Sequence, residues 1–207
     1  MPIKTNREYR IMPLLQPAEE KRFDSDYYVE GFATTFNDPY VLWRNGEVEY
    51  KEIIDKKALD TADMSDIIMQ YNHSGRVFAR NKMGKSKTPT LIAEPQDSGF
   101  FIAADLSKTA EARSLYEDIN EGLIFQMSWA FTVSEDEYDS DNHTRIIKRV
   151  DKVYDVSAVS TPANPSTDIS ARSYFEGVIE QEAQELCRRE ELVKQNLRAL
   201  LLLKTRR

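Results

Sequence analysis

The chain has 207 residues, 41% of them hydrophobic, and a formal net charge of −7. That is apolar material for one substantial core, and the acidic excess excludes an obvious nucleic-acid surface, which needs clustered Lys and Arg rather than the single short basic run Lys204-Thr205-Arg206-Arg207. The lone cysteine, Cys187, excludes an internal disulfide and a cysteine-based zinc cluster; with no signal-peptide core and no run of ~20 apolar residues, the chain reads as soluble and compatible with a reducing cytosol.

Residues 1–25 carry Pro2, Pro13 and Pro17 among charges and read as a flexible N-terminal arm, with a weak strand at Tyr9-Arg10-Ile11-Met12. Tyr27 to Phe36 is rich in aromatic and β-favouring residues and stops at Asn37-Asp38-Pro39, which reads as a strand and turn. Asn45-Gly46 between Tyr40-Val41-Leu42-Trp43 and Val48 to Ile54 is a hairpin signal. Asp55 or Asp60 suits the cap of a short helix running towards Met64, after which Ile67-Ile68-Met69-Gln70-Tyr71 reads as a strand delivering Asn72-His73 at its end. Further short strands are expected at Arg76 to Arg80, Thr90 to Ala93 and Phe100 to Ala104, so the pattern suggests a sandwich or barrel.

Thr109 suits a helix N-cap, Ala112, Leu115, Tyr116 and Ile119 fall on one face of that helix, and Gly122 ends it. In Phe125 to Val133 the bulky residues Phe125, Met127, Trp129, Phe131 and Val133 alternate with Gln126, Ser128, Ala130 and Thr132, placing Ser128 on the small-residue face of a strand. The acidic stretch Ser134 to Asn142 reads as a solvated hairpin tip, since the glycine and terminal glutamate of an EF-hand loop are missing. His143 to Val150 and Val153 to Ser160 read as two returning strands that stop at Pro162-Ala163-Asn164-Pro165. Beyond Ser173, Ile179, Ala183, Leu186, Val193, Leu197 and Leu200 form a coiled-coil-like seam, interrupted by Glu190, on one long amphipathic helix.

Two histidines are present. His143 borders the acidic tip, where a solvated side chain needs no function. His73 lies where a strand meets a loop, a common address for catalytic groups. A neutral imidazole can take the proton of a serine hydroxyl and return it to a leaving amine while a carboxylate on its other nitrogen fixes the tautomer. Ser128, His73 and Asp155 carry that chemistry, although spacing alone does not bring them together.

The ordered set Tyr71-Asn72-His73, Asp97-Ser98-Gly99-Phe100, Glu121 to Phe131 and Asp155 to Pro165 resembles the prohead (capsid maturation) proteases of tailed bacteriophages, serine peptidases related in fold to the herpesvirus assemblins. The resemblance covers roughly Tyr27 to Ser170. It implies an α+β, mostly β fold, an assemblin-like barrel flanked by a few helices. It places the family's histidine on His73, its serine on Ser128 and its acid on Asp155, and it implies no cofactor. The family often has Gly where Ala130 stands, an acid where Ser74 stands, and Glu where this chain has Asp155. Assemblins use a second histidine as third member, which makes His143 the alternative to Asp155. Arg145, or a backbone N–H near it, is a candidate oxyanion donor.

The expected organisation is an arm over residues 1–25, a protease domain over 26–170 and a C-terminal helix over 171–207 that either docks or is lost on self-cleavage. The expected activity is a serine endopeptidase that removes scaffold segments of the major capsid protein, and cuts itself, inside the assembling prohead in the host cytoplasm. Its partners are the capsid protein and its scaffold segment, with a homodimer or higher oligomer possible and no nucleic acid or membrane expected. The competing class is a non-enzymatic assembly or scaffolding protein that keeps the protease fold. The retained Ser128, His73 and Asp155 favour the enzyme, and nothing specific favours a ligand-binding barrel.

Overall fold

The elements of the computed structural model, which describes residues 7–13, 15–16, 21–82, 88–160 and 165–205, follow in chain order. They are β1 (Glu8–Pro13), β2 (Leu15–Gln16), β3 (Tyr28–Thr35), β4 (Tyr40–Asn45), β5 (Val48–Ile54), β6 (Ile68–Tyr71), β7 (Ser74–Arg80), β8 (Leu91–Pro95), β9 (Gly99–Asp105), α1 (Ala110–Asn120), β10 (Gln126–Asp139), β11 (Thr144–Val159) and α2 (Pro165–Thr205). The fold is mostly β, as expected, with a long C-terminal helix. Its strands form a seven-stranded sheet and a four-stranded sheet rather than one closed barrel.

The axis of the larger sheet is β11, a single strand of 16 residues where the sequence suggested two. It stays continuous because its antiparallel ladder with β10 absorbs irregularities as bulges, skipping Tyr154 between Val153 and Asp155 and Asp151 between Val150 and Lys152. The other edge of β11 is shared: its start pairs parallel with β5 and its end, Asp155 to Ala158, pairs parallel with β6. The smaller sheet runs β2-β3-β9-β8. In it Gly99 meets β3 so closely that a Cβ would lie 2.1 Å from the Thr34 carbonyl oxygen, which explains a glycine there.

The sheets share a core. Met127, Trp129 and Phe131 of β10 are fully buried, Trp129 stacks on Phe131 at 3.9 Å, and Phe100 of β9 meets Trp129 at 5.6 Å. Leu115 and Ile119 of α1 join the same core, and the Thr109 hydroxyl caps α1 by accepting from the Ala112 N–H. The stretch after Asp55 is a chain of turns, not the expected short helix. Its backbone groups bond to β11 instead, Val150 N–H to the Ala58 carbonyl and Asp63 N–H to the Asp151 carbonyl, while Ala58 and Leu59 are buried.

Within the expected arm, Glu8–Pro13 is a strand on the free edge of β10. Its Arg10 is 1% exposed and donates through Nε and Nη2 to Glu52 of β5 at 2.5 and 2.6 Å. Glu8 accepts from Arg145 of β11, and Tyr40 donates to Glu52. Arg145 also reaches Asp136, so that one carboxylate of the acidic stretch turns inward while Glu135 and Glu137 stay exposed, and Asp139 accepts from the Asp141 and Asn142 N–H groups at the turn.

The chain divides into two compact units, one running from Lys4 to Asp168 and one whose bulk is the helix from Ile169 onward. Residues 161–164 of the expected linker lie outside the described residues, and α2 already begins at Pro165, a favoured residue for a first helical turn. Leu186, Val193 and Leu197 of its seam are exposed. No described helix is long and apolar enough to cross a membrane.

Candidate active site

Ser128, Ala130, Ser157 and Asp155 share one face of the β10–β11 ladder, because Ser128 pairs with Ser157 and Ala130 with Asp155. The opposite face is the aromatic core. All these side chains are small or short, which leaves room above the sheet for an imidazole ring. Ser128 is 1% exposed, so it is not the solvated surface serine that a lone serine on a strand usually is.

The imidazole comes from the β6–β7 hairpin. Tyr71 pairs with Ser74, and the two residues between them, Asn72 and His73, have φ of 50° and 55°. Left-handed conformation at successive non-glycine residues marks a tight primed turn that suits Asn and His better than most side chains and still costs on the order of 1 kcal/mol or more each. The turn is tied to β11: Asn72 N–H donates to the Ala158 carbonyl at 3.0 Å, and its Oδ1 accepts from the Ser160 N–H at 3.1 Å. Parallel pairing of β6 with Asp155–Ala158 therefore brings His73 over the small-residue face.

There His73 Nε2 lies 2.6 Å from Ser128 Oγ and Nδ1 lies 2.5 Å from Asp155 Oδ1. The side chains of His73 and Asp155 are 6% and 4% exposed. Asp155 also accepts from the Ser157 hydroxyl at 2.8 Å, which fixes the carboxylate plane. The short Asp155 side chain reaches the ring, and Ala130 sits opposite it on β10, at the edge of the bulge that skips Tyr154. A carboxylate on Nδ1 leaves Nε2 as acceptor towards the hydroxyl, the arrangement that lets a serine lose its proton as it attacks an acyl carbon.

His143 does not join this group. It occupies the turn before β11 with φ of 49°, its Nδ1 3.3 Å from the Tyr138 hydroxyl and its ring 5.2 Å from Tyr50. Asp155 lies towards the other end of β11, roughly 40 Å of strand away at ~3.3 Å per residue. The Arg145 side chain does not serve as an oxyanion donor in this structure, because it is 3% exposed and spent on Glu8, Glu52 and Asp136. Among the carboxylates around it, Glu8 is held down at about 2: burial pushes it up, and the Arg10 charge and Arg145 hydrogen bond outweigh that.

Sequence reading missed Ser157, Asn72 and Tyr9. Ser157 was findable, since it stands two residues from Asp155 and so on the same face. Asn72 stands in the Tyr71-Asn72-His73 motif, but its task of anchoring the turn depends on Ala158 and Ser160, far away in sequence. Tyr9, whose ring centroid lies 4.6 Å from that of His73, carries no local signal.

The model of the caudovirus prohead serine protease family matches residues 16–180 of this chain. The solved structure of the bacteriophage T4 capsid assembly protease, gp21, is similar at 16% identity over 76% of this chain and 100% of that one, with a TM-score of 0.44. No curated protein matches.

Proposed function

The chain belongs to the caudovirus prohead serine protease family, and on that premise we propose that Ser128, His73 and Asp155 are its nucleophile, general base and orienting acid. The observation that carries the reading is the pair of short contacts from one imidazole, 2.6 Å to a serine hydroxyl and 2.5 Å to a carboxylate, on a face closed to solvent.

Ser128 Oγ attacks the scissile carbonyl carbon as its proton passes to His73 Nε2, and the imidazolium so formed is balanced by the Asp155 carboxylate on Nδ1. The tetrahedral intermediate collapses, the imidazolium gives its proton to the leaving amine, and an acyl ester remains on Ser128. A water that passes its proton to the same imidazole then attacks the ester, releasing the new carboxyl terminus and the free hydroxyl. Proton transfer of this kind contributes roughly 10²–10⁴-fold.

The substrates on this reading are the scaffold segments of the major capsid protein and the protease itself, cut inside the assembling prohead in the host cytoplasm. The α2 seam supports a docking role, towards scaffold or a second copy, separable from catalysis. Co-expression with the neighbouring capsid gene, followed by intact mass of every product, tests the substrate assignment. Capsid protein shortened at one end is expected, and capsid protein of full mass beside folded protease speaks against it.

A further inference from the structure

We propose that Tyr9 is a positioning residue for the His73 imidazole, carried to the site by an N-terminal strand that lies outside the stretch matched by the family. The inference rests on the Ser128–His73–Asp155 reading and extends it to a residue that neither the motif nor the family match, which begins at residue 16, contains.

Two strand registers set the geometry. Tyr9 pairs with Ala130 and Ile11 with Ser128, so alternate residues of β1 extend the small-residue face that holds the site. The Tyr9 ring meets the His73 ring edge-on, centroids 4.6 Å apart at 68°. The two hydrogen bonds of His73 fix its ring in plane, but its backbone is a tight turn, and the other residues of the ladder face, Ala130 and Ser157, have side chains too small to form a wall beside a ring. An aromatic wall on the β1 side closes that freedom.

The way β1 is held points in the same direction. Its other face carries Glu8 and Arg10 into a buried cluster with Glu52, Arg145, Asp136 and Tyr40. Arg7 lies over the Tyr154 ring at 3.8 Å. Burying so many charges is a poor way to gain stability compared with apolar side chains of the same size, but it is an effective way to fix one register. A slip by one residue would turn Arg10 towards the site and Tyr9 into the core, at the cost of several unpaired buried charges. The cluster therefore fixes which face of β1 looks at His73.

The test uses the full-length protein and a fluorophosphonate probe, with which Ser128 Oγ forms a bond to phosphorus as fluoride leaves and the hydroxyl proton passes to His73. Wild type, Ser128→Ala, Tyr9→Phe and Tyr9→Ala are compared for labelling rate, for melting temperature and for the downfield Nδ1 proton resonance of His73. Tyr9→Ala is expected to label roughly 10- to 100-fold more slowly with its melting transition intact and the Nδ1 resonance broadened, whereas Tyr9→Phe stays within about threefold of wild type. Labelling of folded Tyr9→Ala at the wild-type rate overturns the proposal. Should Tyr9→Ala prove unfolded, Tyr9→Leu, which keeps apolar bulk on the strand, is read in its place, and a wild-type rate there overturns it equally. Failure of the underlying reading looks different: wild type unlabelled, or Ser128→Ala labelled as fast as wild type.

Discussion

Replacing Asp155 by Asn removes one charge from a pair whose side chains are only 6% and 4% exposed, so little solvent screens the loss. With Nδ1 2.5 Å from Oδ1, the centres of the imidazolium and carboxylate charges lie about 4 Å apart, where an effective dielectric of about 20 gives an attraction of about 4 kcal/mol. This attraction exists only while the imidazole is protonated, so its loss falls on the transition state and converts to about 10³-fold in rate. The amide can also present its NH₂ group to Nδ1, placing the ring proton on Nε2, where it cannot accept from Ser128; that error alone costs up to about 10⁴-fold in well-ordered triads. Asp155→Asn and His143→Ala, both checked for folding by thermal melting, are compared for the second-order rate of fluorophosphonate labelling and for processing of co-expressed capsid protein. Asp155→Asn should lose about 10³-fold or more, and His143→Ala should stay within about threefold. A folded Asp155→Asn within tenfold of wild type, or a large loss confined to His143→Ala, refutes the reasoning and points to a Ser-His-His site.

Glu52→Gln should destabilise the protein by about 1.5–3 kcal/mol, because Arg10 loses the buried carboxylate it donates to through two nitrogens while Glu8 still faces both guanidiniums; a melting temperature within a degree or two of wild type contradicts this. Acid should release β1 before the rest of the sheet. The Glu8 carboxyl is lowered from 4.5 to about 2, so it contributes stability that is fully present above about pH 4.5 and is lost as pH falls towards 2, on the order of 3 kcal/mol in all. Protection factors of the β1 amides, with the intrinsic pH dependence of exchange divided out, should fall across that window in wild type and lose that dependence in Glu8→Gln.

Much of the sheet was legible because its signals are local. Asn45-Gly46 makes its hairpin with Gly46 at φ of 62°, Thr109 caps α1, and the alternation from Met127 to Val133 gives the buried face of β10. The end of β6 at His73 and the small-residue face around Ser128 were legible for the same reason. What escaped depends on partners far away in sequence. Glu8 and Arg10 look like surface charges in an arm and are buried only because β5 and β11 supply Glu52 and Arg145. The same cluster claims Arg145, which is why its side chain cannot serve the site. Turns replace a helix after Asp55 because cross-chain bonds to β11 outcompete an intrinsically weak helix, and a propensity reading does not see β11.

The central claim, that Ser128 is a nucleophile activated by His73, is tested most directly by locating a fluorophosphonate adduct by intact mass and peptide mapping. Wild type should carry a single phosphonyl group on Ser128, while Ser128→Ala and His73→Ala remain unmodified over the same time. An adduct on another residue, or a His73→Ala variant labelled on Ser128 at the wild-type rate, would contradict the account.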